Sequence, residues 1–120
     1  MTANTLIFAC SGSSDVGEIA DRAARKLARE GLGKMHCMTA VGAGVESFMK
    51  FYQQSTDPIL AVDGCALNCA TNCLTKAGLK ASHSVSLEAL GFKKGETPVT
   101  EERIDKVVEA ARQLIQPDGE

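Results

Sequence analysis

Five cysteines stand in this chain of 120 residues, and three of them fall in one stretch, Asp63-Gly64-Cys65-Ala66-Leu67-Asn68-Cys69-Ala70-Thr71-Asn72-Cys73. It follows an apolar run from Pro58 to Val62 that reads as a buried strand. Gly64 supplies a sharp turn, and the pattern after Cys65 predicts a helix ending near Gly78. In a regular helix Cys65, Cys69 and Cys73 share a face, because positions four apart are surface neighbours. They cannot all share one ion. Eight residues of helix advance about 12 Å, whereas two thiolates on one zinc, each about 2.3 Å from it, sit roughly 4 Å apart. Cys65 and Cys69 are therefore the pair open to a metal. Cys73, a turn deeper, is expected to pack on the sheet as a small hydrophobe. Two more ligands must come from elsewhere, and Cys10 and Cys37 remain.

The elements that would position these thiols follow from the apolar pattern. Thr5 to Ala9 is a continuous apolar run, as in a strand covered on both faces, and it ends at Cys10. Ser11 to Asp15 is turn material. Asp15 and Glu18 then open a helix striped by Val16, Ile19, Ala20, Ala23 and Leu27, closed by Gly31 and Gly33. Lys34 to Val41 is a weaker strand candidate. A second helix carries Val45, Phe48, Met49 and Tyr52 at helical spacing, and these stripes are expected to be core. Ser84 to Ala89 alternates, as a strand exposed on one face should. Thr100, Glu101 and Glu102 start a last helix bearing Ile104, Val107, Val108, Ala111, Leu114 and Ile115, with Pro117 just past its end.

This alternation predicts an α/β fold in one domain, 1–120: a small, doubly wound, four-stranded parallel sheet with helices on both faces. The two uniformly apolar strands belong in the middle, which gives the order 2-1-3-4. In such sheets ligands bind beyond the carboxyl ends of the strands, where the strand order reverses. Cys10 ends the first strand, Cys37 lies in or just after the second, Cys65 follows the third, and Cys69 joins from the first helical turn. The topology thus brings Cys10, Cys37, Cys65 and Cys69 to one crevice. His36 and His83 are expected to be surface or structural residues, His36 facing away from Cys37. The Ser11–Ser14 loop offers only a weak anion-binding pattern.

Nearly the whole chain resembles the DGC-domain family, named for the Asp-Gly-Cys found here at 63–65. The resemblance rests on Cys10-Ser-Gly-Ser-Ser-Asp-Val-Gly17, Gly33-Lys-Met-His-Cys37, Val41-Gly-Ala-Gly44 and the run from Asp63 to Cys69. It implies zinc binding by four cysteines, which by position are Cys10, Cys37, Cys65 and Cys69, in a process not established for the family. Two departures stand out. The family often has proline where this chain has Ala66, and some members have cysteine at the position of Ser13, an optional thiol missing here.

Composition narrows the function classes. A net charge of −2 and a pI near 5.7 leave no electrostatic footprint for nucleic acid or an anionic membrane surface. With no Trp, one Tyr and four Phe, a base-stacking surface is not expected. No apolar run approaches the ~20 residues of a membrane span, and the first residues lack the charged start of a signal peptide. An odd number of cysteines without an export signal favours a reducing cytoplasm, with thiol or metal chemistry rather than disulfides. Four thiolates suit zinc in a closed site, and an iron–sulfur cluster is the lesser alternative. The competing class is a thiol-based redox or sulfur-transfer enzyme using Cys10 or Cys65 as nucleophile, its pKa lowered by a helix N-terminus. The Cys-x5-Arg phosphate clamp of small phosphatases is absent, since Val16 stands at the arginine position, and there is no Cys-x-x-Cys pair. A flavodoxin-like cofactor binder is disfavoured by the lack of aromatics in the crevice loops. The expectation is a cytoplasmic zinc-binding protein, not an enzyme on its own, with a metal ion as its partner and the protein partner unknown.

Overall fold

The structure, a computed structural model, describes residues 4–116. Its elements run β1 (Leu6–Ala9), α1 (Asp15–Arg29), β2 (Lys34–Met35), α2 (Met38–Gly42), α3 (Glu46–Gln54), β3 (Ile59–Asp63), α4 (Cys69–Lys76), β4 (His83–Ser86) and α5 (Glu101–Ile115). The four strands form one parallel sheet in the order β2-β1-β3-β4. Register places Leu6 beside Lys34 on one side and beside Ile59 on the other.

Alternation along the central strands builds two cores, because successive side chains point to opposite faces. Ile7, Ala9, Leu60 and Val62 pack with the stripes of α1 and α5. Leu6, Phe8, Ile59 and Ala61 pack under α2, α3 and α4 through Val41, Tyr52, Ala70 and Leu74. Helices thus cover both faces, as a parallel sheet requires. Caps set the long helices: Ser14 accepts a hydrogen bond from Gly17 N at the start of α1, and Thr100 accepts one from Arg103 N at the start of α5. Gly31, at φ +78°, ends α1 in the left-handed conformation that favours glycine.

Several expectations are corrected. The second strand is two residues long, and Met38–Gly42 is a short helix that lays Ala40 and Val41 into the core. The fourth strand stops at Ser86, where the chain turns, although Leu87 N still donates to Asp63 O at 2.9 Å. The α3 stripe is core only in part: Tyr52 is buried and Met49 packs partly buried against the core, while Val45 and Phe48 are 40% and 44% exposed, as is Phe51 outside the stripe at 51%. This helix packs against α2, with Tyr52 buried, Met49 partly buried against the same core, and the Phe48 and Phe51 rings packed on Tyr52 from without. Pro117 lies outside the described residues. Among those described, no helix is long and apolar enough to cross a membrane.

Candidate functional site

Cys10 is the first residue after β1, half-buried, and its N–H donates to Val62 O at 2.8 Å, which fixes the start of the loop against β3. Cys37 is exposed and occupies the cap position of α2, just past β2. Cys65 lies not in a helix but in the turn after β3, where Asn68 N donates to its carbonyl at 3.0 Å. Asn68 takes a left-handed conformation, φ +51°, which asparagine tolerates better than most residues. It delays α4 until Cys69. Cys65, Cys69 and Cys73 therefore do not share one helix face, and the expected helix start after Cys65 is corrected. Cys69 and Cys73 are the pair four apart on α4.

The turn is held by the acid that precedes it. Asp63 is buried, and its carboxylate accepts hydrogen bonds from Ala70 N at 2.7 Å, Thr71 N at 3.3 Å and Thr71 Oγ1 at 2.6 Å. A carboxylate there satisfies free N–H groups of the first turn and meets the positive end of the helix. Gly64 is required by close approach: a Cβ would sit 3.0 Å from the Val16 backbone carbonyl. Gly17 is tighter still, since a Cβ there would meet Gly12 O at 2.7 Å. The loops after β1 and β3 are thus pressed against the start of α1.

Beyond the strand ends lies an open crevice of about 690 Å³, lined in part by Cys10, Cys37, Cys69, Cys73, His36 and Asp21. Two expectations change here. Cys73 is half-buried and lines this crevice rather than packing in the core. Cys65 is not on the crevice wall and leans on the α1/α5 core. It remains near Cys69, whose thiol pKa is raised, first by partial desolvation and then by Cys10, Cys65, Asp63 and Cys73. Desolvation and these neighbours favour the thiol form of Cys69 over its thiolate.

His36 lines the crevice beside Cys37 instead of facing away from it. Its Nδ1 lies 3.0 Å from the buried Tyr52 hydroxyl, and burial with the Lys34 charge lowers its pKa. This is the structural role expected of it. The Ser11–Ser14 loop is explained by its own bonds, Ser11 Oγ donating to Asp21 Oδ1 at 2.8 Å and Ser14 capping α1.

Thiols are soft donors, and four on one crevice fit zinc or another thiophilic ion in kind. They stand around the crevice rather than gathered. Among the described residues, no three His, Cys, Asp or Glu side chains are close enough together to hold a metal ion as placed. Two contributors were misassigned by the sequence reading: Cys73, expected in the core, lines the crevice, and Asp63, seen only as part of the motif, holds the turn. The signal for both was Asn68, a residue able to stop a helix from starting early.

Comparison with known proteins adds the following. A family model described as the DGC domain matches residues 6–111. The anaerobic and virulence modulator AnvM of Pseudomonas aeruginosa is 35% identical over 116 residues, covering 95% of this chain and 87% of that protein. No solved structure matches significantly.

Proposed function

Since this chain belongs to the DGC-domain family, we propose that it is a cytoplasmic regulatory protein that binds zinc through Cys10, Cys37, Cys65 and Cys69. One observation carries this reading. Cys10, Cys37 and Cys69, from three distant segments, line one crevice at the strand ends, and Cys65 is near enough to Cys69 to raise its pKa. The regulatory part rests on the relative, which is named a modulator. Zinc bound by four thiolates has no open position for a substrate, so it would supply charge and cross-linking rather than catalysis. Because the thiols are spread out, binding has to draw the loops after β1, β2 and β3 toward one another. Occupancy thereby becomes a change of surface that a partner can read.

Metal analysis of tag-free protein, prepared without oxygen, tests the reading. The expected result is a colourless protein with about one zinc per chain, four thiolates completing the tetrahedral shell, and a Cys69→Ser variant that has lost it. A brown iron–sulfur chromophore, or metal well below stoichiometric in the unaltered chain, would overturn it.

A further inference from the structure

The geometry points to Cys37 as a site of mixed-disulfide formation, taking a low-molecular-weight disulfide whose carboxylate is held by Arg25. This does not rest on the zinc reading and needs only the crevice beyond the strand ends. Cys37 is exposed on the crevice wall, and Arg25 reaches the same wall from α1. The arginine is held in place through Asp21. Ser11 Oγ donates to Asp21 Oδ1 at 2.8 Å, and Arg25 Nε donates to Asp21 Oδ2 at 2.8 Å. A guanidinium carries five N–H donors and can grip a carboxylate by two parallel bonds. Asp21 engages Arg25 through Nε and the side chain is 61% exposed, so its terminal nitrogens are open to a second carboxylate. Met35 and Met38, close to Cys37 in the chain, also line the crevice and give the methylenes of a small disulfide an apolar wall. The other thiols of the crevice are less suited. Cys10 and Cys73 are half-buried. Cys69 is exposed, but the Asp63 carboxylate, bonded to the Ala70 and Thr71 amides, sets a negative charge beside it that repels an anionic reagent.

The disulfide is itself the oxidant. The Cys37 thiolate attacks one of its sulfurs, the S–S bond of the reagent breaks, and a new S–S bond joins Cys37 to one half. The other half leaves as a thiolate and takes up the proton that Cys37 gave to solvent. Cys37 is oxidised and the released half reduced, and a thiol in excess reverses the step. The adduct caps the one thiol on the β2 side of the crevice and lays a carboxylate against Arg25.

The test treats the reduced chain, with a chelator present, with dithiodiglycolate and separately with cystamine, a small disulfide bearing amines instead of carboxylates. Intact mass and peptide mapping read which cysteine is modified first and how fast. Each rate is divided by that of the chain unfolded in urea, which removes the intrinsic reactivity of the reagent. The first adduct should be at Cys37, and the folded chain should favour dithiodiglycolate over cystamine by up to about fivefold, the worth of an exposed charge pair. Arg25→Gln should abolish that preference and Arg25→Lys should keep part of it, circular dichroism showing that both are folded. Arg22 lies on the same helix and pairs with Glu18, so Arg22→Gln removes an equal charge and should leave the preference intact. A first adduct on another cysteine, no preference for the anionic disulfide, or equal loss in Arg25→Gln and Arg22→Gln overturns the inference and leaves the zinc reading standing.

Discussion

Asp63 shows what one residue does for the site. It is 2% exposed, and its carboxylate meets three donors in the first turn of α4. Replacing it by alanine strands the Ala70 and Thr71 amides in a place where water reaches poorly. Leaving such groups unpaired costs about 1–3 kcal/mol, so Asp63→Ala should lower the urea midpoint by a corresponding amount. Asp63→Asn keeps one oxygen acceptor and should lose less. Equal midpoints for Asp63→Ala and the unaltered chain would mean that the turn does not depend on this cap. The same residue marks how far the sequence could be read. Asp63-Gly64-Cys65 was visible as a motif, but its purpose was hidden by placing the helix start one turn early. An aspartate adjoining a helix reads as turn material, and only the left-handed Asn68 separates the two so that the carboxylate can reach across.

Elements were legible in proportion to how much of their surface is buried. β1 and β3 are covered on both faces and read as unbroken apolar runs, which sufficed to put them in the middle of the sheet. β2 pairs over two residues, and α2 is five residues long; neither length carries a full period of any pattern. α3 has the period of a buried helix, yet Val45 and Phe48 of its stripe face outward, because period reports amphipathicity and not what covers the apolar side. The joint between α1 and the segment before α5 shows a device of another kind. Asp15 accepts hydrogen bonds from Val16 N and Gly95 N at 2.8 Å and from Thr97 N at 2.9 Å. The Gly95 and Thr97 amides lower its pKa most, against some desolvation. A folded-state pKa below the unfolded one gives stability that is present above the ordinary carboxylate range and is lost as pH falls through the lowered value. Asp15→Asn should therefore flatten the acid limb of a Tm–pH curve. It should also speed amide exchange at residues 93–97 at neutral pH, and unchanged exchange there would show the tether to be idle.

For the whole molecule, two cores on opposite faces of the sheet mean that the fold does not depend on the crevice. Zinc supplies roughly 10–16 kcal/mol to small zinc fingers that are unfolded without it, and such domains lack a core of this kind. Here Phe8, Leu60 and Leu74, all inaccessible to solvent, lie well inside the apolar packing. Chelation under reducing conditions should leave the far-ultraviolet circular dichroism nearly unchanged while raising amide exchange at residues 10–15 and 63–69. Loss of the helical signal would show that the metal holds up the domain. The crevice itself was legible because strand order and chain direction alone decide which residues meet at one end of the sheet. Which thiols face it was not, since that turns on the single turn between Asp63 and Cys69.

The strand order also sets a timetable. β1 is made first but lies at the centre of the sheet, and Ile59, the partner of Leu6, is synthesised only after β2, α2 and α3. Cys10 and Cys37 thus stand past the neighbouring strands β1 and β2 before β3 is made, and the crevice is incomplete until α4 has emerged. Between the synthesis of Cys37 and that of α4 the nascent chain carries two thiols without the far wall of their crevice, so the reducing power of its surroundings matters over that interval.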